Sequence, residues 1–458
     1  MSSAHSHGPD VNPVIDAIAG RTVPAAVNGL SIGMIALGAV AFLAGLFGIG
    51  DGGAVAWAAF LVGLLYTLAI AQGGVMFSVI QTGTWGRWGR PIKRIAESFS
   101  FYLPVAYLML IVFLLFGLKI YSWNPSTIIE GGPVNLEPHS VEAIASKPIW
   151  LTPMFFRLRL LFGVGLIIGL DFVFVRASLA PDMILATKRL GAKAPAWWSR
   201  ITGGRTDVEG ALRSGLATQN FLVPWLAVTY ALVFSMVAFD LIMSLAPWWA
   251  SNMFGAWTFV SGFWLSLCAL GFTAMVGRDW LKLGAFIKPS TTHDLGKLML
   301  VGCMFWAYTG FAQLLPIWYT DMKEETDFLL VRLFLPEWNW LAQVVGMTCF
   351  VAPFTILLSR GIKKMRWPFV GICTLIMCGI FMERTLLVLP SVHYGDPRNP
   401  MVIFVCVGTW LGFVGMFVQV VSRVLASIPP LVVSDPNLET HPWDVHVHPL
   451  EEAHGAHR

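Results

Sequence analysis

The chain has 458 residues, 56% hydrophobic and 12% charged, with a formal net charge of +4 and a mean hydropathy of +0.69. Soluble domains carry about 25% charged residues, and single cores stop growing near about 250–300 residues. A water-soluble fold is therefore excluded, nucleic acid is not an expected partner, and the natural solvent is lipid.

Residues 1–27 hold His, Pro and Asp rather than a basic patch ahead of a short apolar core, so they read as a retained cytoplasmic segment and not as a signal peptide. A membrane helix needs about 20 mostly apolar residues. Ten such runs follow, at 28–49, 54–81, 99–119, 153–176, 218–246, 256–277, 296–319, 338–359, 368–390 and 401–424. The expected fold is all-α: a polytopic, ten-helix transmembrane domain over 28–424 and a cytoplasmic tail over 425–458.

The loops between these runs alternate in charge. Loops 82–98, 177–217, 278–295 and 360–367 carry the basic residues, among them Arg87, Arg90, Lys93, Arg94, Lys188, Arg189, Arg278, Lys363 and Lys364. The opposite set, 50–53, 120–152, 247–255, 320–337 and 391–400, holds only Lys147, Lys323, Arg332 and Arg398. The positive-inside rule makes the first set cytoplasmic, with both termini on the same side. Trp123, Trp150, Trp248, Trp249 and Trp318 mark outer ends, while Trp85, Trp88, Trp197, Trp198 and Trp367 mark inner ones. Segment 177–217 reads as a polar loop with a surface helix. The tail, with Pro429-Pro430 and then His441, His446, His448, His454 and His457, reads as disordered or partner-contacting rather than as a metal site.

Ionisable residues inside spans are costly, so each is a functional candidate. Asp240 lies about 9 Å inside the outer end of the fifth span, counting 1.5 Å per residue. Glu383 and Arg384 lie at similar depth in the ninth. Arg157 and Arg159 open the fourth, and Tyr308 and Gln313 belong to the seventh. Asp171 sits in the inner third of the fourth span, and Glu97, His293, Asp294 and Lys297 sit at the inner mouth. One reading is an outer polar pocket with a proton-handling carboxylate, extended inward by a relay. The other is charge neutralisation, Glu383 with Arg384 and Asp240 with Arg157. Arg94, Arg159 and Lys297 read as snorkelling or interfacial, and His293 as a possible cap.

The six cysteines lie in apolar runs without a C-x-x-C and read as buried, inert thiols. All ten histidines lie in loops or tails, so no bis-histidine haem site inside the bundle is expected and no metal ligands are assigned. Asp240 and Glu383 each precede a proline (Pro247, Pro390) by seven residues, which hints at a parallel repeat of spans 2–5 and 6–9.

Several strings resemble a known family. They are Gln81-x-x-Thr84-x-x-x-Trp88-x-x-Pro91-x-x-Arg94-x-x-Glu97, Phe239-Asp240-x-x-Met243-Ser244-Leu245-x-Pro247-x-Trp249 and His293-Asp294-Leu-Gly296-Lys297-Leu. Trp306-x-Tyr308-x-x-Phe311-x-Gln313, Ile317-Trp318-Tyr319, Glu324-Glu325-Thr326 and Asp435-Pro436-x-Leu438-Glu439 continue the set. Over roughly residues 25–440 the chain resembles the ActF-type membrane subunit of bacterial alternative complex III, in the NrfD-like, polysulphide-reductase membrane-subunit family. Met322-Lys323 departs from that pattern, where a proline is expected.

The resemblance implies two four-helix bundles, spans 2–5 and 6–9, with two peripheral helices, in the bacterial cytoplasmic membrane. It implies a quinol:cytochrome c oxidoreductase assembly containing a homologous NrfD-like membrane subunit, a multi-haem cytochrome c and an iron–sulfur subunit. Haem c and iron–sulfur clusters would sit in those partners, and this chain would bind no redox centre of its own, with quinone or quinol as its possible ligand. The resemblance makes the homologous subunit the better candidate for the working quinol site and gives this chain proton passage, a scaffold role or a second quinone site; within this chain Asp240 is the expected base for quinol oxidation. Arg157, Gln313, Tyr308, Glu383 and Arg384 are quinol-binding candidates, and Asp171, Glu97, His293 and Asp294 carry protons. The competing readings are a cofactor-free scaffold and an ion-coupled transporter. A transporter usually shows matched broken helices, and Gly73-Gly74 is the one break suggested by the sequence.

Overall fold

The computed structural model describes residues 10–49, 51–127, 144–393 and 395–435, without the side chains of Lys323 and Glu324. The His-rich tail and the Pro436–Glu439 part of the last family string lie outside the described residues. Every regular element among the described residues is helical. Among the described residues ten helices are long and apolar enough to cross a membrane: α1 (Ala25–Gly48), α2 (Ala54–Gly83), α3 (Arg90–Ile120), α4 (Pro153–Lys193), α5 (Val208–Leu245), α6 (Met253–Gly277), α7 (Pro289–Thr320), α8 (Pro336–Leu358), α9 (Arg366–Ser391) and α10 (Pro400–Ser427). Apolar runs in lipid must satisfy their own backbone groups, and the helix does so within one segment. The chain is a multi-pass, all-α membrane protein.

Burial separates the helices. The apolar window of α2 is 94% buried, against 22% in α1 and 28% in α7 and α8. The centre is therefore α2, packed on α6. They touch where side chains are small: a Cβ on Gly73 would meet Ser266, and one on Gly262 would meet Ala69. The Ser266 hydroxyl donates to the Ile70 carbonyl at 2.9 Å. Around this axis α2–α5 form one bundle and α6–α9 the other. Helices α1 and α10 pair outside them at near backbone contact, since a Cβ on Gly38 would collide with the Gly412 Cα.

Two faces are defined by contacts between distant loops. On one, Arg21 donates to the Leu425 carbonyl at 3.2 Å, Trp280 to Thr22 at 3.0 Å and Trp198 to Ser427 at 3.0 Å. This face gathers the four basic loops and both ends of the described chain, and is called the basic face below. On the far face Trp123 donates to Ser244 at 3.1 Å, Lys147 to Pro247 at 2.9 Å and Arg332 to Leu387 at 2.9 Å.

Three expectations are corrected. Segment 177–217 is largely helix: α4 continues beyond 176 and α5 already begins at Val208, leaving a short helix at Trp198–Thr202 between them. The tail does not leave the protein at residue 425, because Ile428–Val433 packs back with Ile428 and Leu431 fully buried. Gly73-Gly74 does not break α2, which is continuous, and the glycines serve close packing instead. The interruptions lie elsewhere. In α3 a 3-10 turn at Phe99–Tyr102 precedes Pro104, and in α8 a π-turn at Met347–Val351 precedes Pro353. Proline has no N–H, so the Cys349 carbonyl loses its helical partner. The Cys303 thiol donates to that carbonyl at 3.5 Å. The two breaks fall in the second helix of one bundle and the third of the other, so they are not a matched pair.

Candidate functional site

At the basic face a buried charge cluster joins α2, α3 and α4. Arg94 is 1% exposed, and Glu97 and Asp182 are 0%. The Arg94 guanidinium donates from Nε to Asp182 at 2.7 Å, from Nη1 to the Ser178 hydroxyl at 2.7 Å, and from Nη2 to the Ser178 carbonyl at 2.6 Å, and also binds Glu97. Glu97 Oε1 accepts from Ser78 at 2.6 Å and from Ser178 at 2.8 Å. The folded-back tail closes the cluster. Ser434 donates its N–H and hydroxyl to Asp182 Oδ1 at 2.8 and 2.5 Å, and Asp435 lies 3.2 Å from Arg90. Fixed hydrogen bonds on nearly every charged atom offset the desolvation of burying three charges.

Deeper in the same bundle is Asp171 on α4, 0% exposed. Its Oδ1 accepts from the Gln72 amide at 3.1 Å, while Asp171 Oδ2 and Gln72 Oε1 are buried without a hydrogen-bond partner. Gln72 and Ser78 lie six residues apart on α2, about 9 Å along the helix. Asp171 thus stands one step further into the membrane than the Glu97 cluster. Tyr230 of α5 lies within electrostatic reach of both Asp171 and Arg384, and its hydroxyl donates to the Phe259 carbonyl at 3.0 Å.

Two further pairs lie toward the far face. Asp240 (α5) accepts a fork of hydrogen bonds from Arg159 (α4), 2.7 Å from Nε and 2.8 Å from Nη2. The guanidinium lies 3.8 Å from the centre of the Trp150 ring and also donates to the Trp150 carbonyl at 3.1 Å. In the second bundle Glu383 accepts from the Trp306 indole at 2.7 Å and faces Arg384 at 3.5 Å. Arg384 donates to the Thr258 carbonyl at 3.1 Å and to Ser261 at 2.5 Å, both on α6. The neighbouring π-turn packs on Gly379, where a Cβ would lie 2.7 Å from Thr348.

The expected far-side constellation does not assemble. Arg157 donates to the Leu114 carbonyl at 2.8 Å, and Arg159 is the partner of Asp240. Helical phase explains the exchange. Arg159 follows buried Phe156 by three residues and precedes buried Gly163 by four, which puts it on the buried stripe. Gln313 bonds Ser251 at 2.9 Å and the Thr309 carbonyl at 3.1 Å, and Tyr308 is 63% exposed on the outward surface of α7. Glu383 and Arg384 do face each other. Of the inner group, Glu97 is in the buried cluster and Asp171 stands above it. His293 lies 3.7 Å from Asp294, which binds the exposed Lys297 at 2.9 Å, a surface group rather than part of the cluster.

Arg94 and Arg159 are therefore buried ion-pair partners, not snorkelling side chains. Sequence reasoning misses Asp182, Gln72 and Tyr230. Asp182 falls outside a fourth span that ends at 176, and the only available signal is its eleven-residue spacing from Asp171, three helical turns. Cys268, Cys303, Cys349 and Cys373 come one from each helix of the second bundle and all are buried, yet no group of His, Cys, Asp or Glu among the described residues could hold a metal ion.

Near Asp240 the far face carries a shallow groove bounded by Trp150, Phe239, Met243 and Trp249. Phe239 and Met243 flank Asp240 in sequence, and Trp150 covers Arg159, so the ion pair lies just behind the groove wall. No family model matches this chain, and no curated protein matches it.

Proposed function

We propose that this chain is the proton-handling membrane subunit of a quinol-oxidising respiratory assembly of the alternative complex III type, in the bacterial cytoplasmic membrane with its basic face inward. The observation that carries the reading is Asp171, a fully buried carboxyl whose single hydrogen bond comes from an amide and whose second oxygen has no partner. A carboxyl held without a countercharge can gain or lose a proton without breaking an ion pair, which suits a relay better than a structural clamp. Buried polar groups stand on either side of it. The Glu97–Arg94–Asp182 cluster lies toward the basic face, and Tyr230, Arg384 and Glu383 lie toward the far face.

In this reading the groove at Trp150 and Phe239 takes the quinol ring. Asp240 receives a proton there, and Arg159 stabilises the charge that changes. Electrons leave to iron–sulfur and haem c centres of partner subunits. A cofactor-free scaffold is the competing reading, and the two-point clamp of Arg159 on Asp240 favours it, since both carboxylate oxygens are already occupied.

Purification from native membranes tests the reading. Co-purification of a multi-haem cytochrome c and an iron–sulfur subunit, bound quinone, and a loss of about 10²-fold or more in quinol oxidation with Asp240→Asn are expected. A chain that purifies alone, or an Asp240→Asn assembly with unchanged turnover, would contradict it. Quinone bound only to another subunit would support the scaffold.

A further inference from the structure

The basic face holds a second feature that the proton reading does not use. Between α2, α4 and α5, beneath the folded-back tail, is a cleft lined by Gln81, Gln219, Arg90, Lys93, Leu212 and Leu216. Gln219 is 2% exposed and Gln81 is 5% exposed. Gln219 Nε2 and Gln81 Oε1 are buried without a hydrogen-bond partner, as is Arg90 Nη1. Arg90 uses its Nε on Asp435. Lys93 donates to Thr82 at 3.2 Å and stands 3.9 Å from Glu97. Unpaired polar groups at this burial each cost about 1–3 kcal/mol, so three converging on one cleft imply an occupant.

The chemistry of that occupant follows from the lining. The lining carries the cations Arg90, Lys93 and Arg94 against one carboxylate, Asp435, and Arg94 is already held by Glu97 and Asp182, so the donors left to the cleft are Arg90 Nη1 and Gln219 Nε2 beside the Lys93 ammonium. The ligand is therefore an anion with acceptor oxygens for Arg90, Lys93 and Gln219 and a hydroxyl for Gln81. Leu212 and Leu216 form an apolar wall beside it.

Depth narrows the source. Gln81 lies 27 residues from the far end of α2 at Ala54, Ser178 lies 25 from Pro153, and Gln219 lies 26 from Leu245. At 1.5 Å per residue these are about 38–41 Å, and a bilayer including both headgroup layers is about 40–45 Å thick. Three helices thus place the cleft independently at the headgroup layer of the basic face.

We propose that the cleft binds the headgroup of an anionic, hydroxyl-bearing phospholipid such as phosphatidylglycerol. Its phosphate is held by Arg90, Lys93 and Gln219, and its chains run along Leu212 and Leu216. The site borders the Arg94–Glu97–Asp182 cluster, and lipid retention reads it out whether or not that cluster carries protons.

The test is lipid retention by the protein purified in detergent with its native partners. Bound lipid is quantified by mass spectrometry, and thermal stability is followed as phosphatidylglycerol, phosphatidylcholine or glycerol phosphate is added back after delipidation. Phosphatidylglycerol should be retained and should raise the melting temperature, with no effect of the other two. Gln219→Leu and Arg90→Gln should each lower retention by about tenfold, the size of one lost charge-assisted hydrogen bond. Lys147→Gln, on the far face, should retain it fully and thereby control for folding. Equal retention of phosphatidylcholine, an equal shift with glycerol phosphate, or wild-type retention in both cleft variants would overturn the proposal. So would loss of quinone rather than phospholipid from Gln219→Leu.

Discussion

At the residue scale, the interior of this protein is organised by which charges have partners. Arg159 and Asp240 satisfy each other at two points inside the membrane. Removing one partner leaves the other charge buried, so Arg159→Ala should cost roughly 3–5 kcal/mol in denaturant titration of the detergent-solubilised protein. Replacing both with leucine should cost less than either single change; a double variant as unstable as the sum of the two would refute the pairing. His393, on the far face beyond α9, offers a titratable counterpart outside the membrane. Burial pushes its imidazole below the usual histidine range, against the opposing pull of Asp51 and Asp396. The folded state therefore favours the neutral form. Its contribution is fully present above the unfolded value of about 6.5 and is lost as pH falls from there through the lower folded value. Between pH 7.5 and pH 5.5 the wild-type melting temperature should fall further than that of His393→Gln, and equal falls would refute the assignment.

At the element scale, close helix approach is set by glycine. Gly38 and Gly412 bring α1 and α10 to backbone contact, so Gly38→Ala should force the helices apart at roughly 1–3 kcal/mol. A Cβ added to Gly169, inside α4, would meet nothing within 4 Å, so Gly169→Ala should be neutral or stabilising by up to about 1 kcal/mol. Thermal unfolding of the two variants side by side decides between packing and mere flexibility. The ten helices are legible in the sequence because lipid demands long apolar runs, and hydropathy reports them directly. Helix ends are not. Hydropathy stops at the membrane surface while the helix continues, so Asp182 reads as a loop residue although it lies on α4. The tail segment Ile428–Val433 escapes for the opposite reason, since its burial depends on contacts with helices hundreds of residues away. Arg159 is legible in principle from the buried phase of α4, whereas Gln72 beside Asp171 carries no charge, and its polarity alone does not tell which helix it faces.

At the scale of the whole molecule, the two bundles share a centre but not a charge plan. The first bundle buries Arg94, Glu97, Asp182 and Asp171, whereas at the matching mouth of the second His293 and Asp294 are half-buried and Lys297 is exposed. Buried titratable groups lie toward the basic face in the first bundle and toward the far face, at Glu383 and Arg384, in the second, with Tyr230 within electrostatic reach of Asp171 and Arg384. With the basic face cytoplasmic, a cysteine at Ser199 or Arg360 should react with an impermeant maleimide only from the cytoplasm, and one at Arg398 only from outside. The reverse pattern would invert the proton direction. The most direct measurement is the number of protons released per electron by the native assembly in sealed vesicles, carrying wild-type Asp171 or Asp171→Asn. Loss of proton transfer with assembly and partner content intact is the predicted result, and an unchanged proton-to-electron ratio in Asp171→Asn would contradict it.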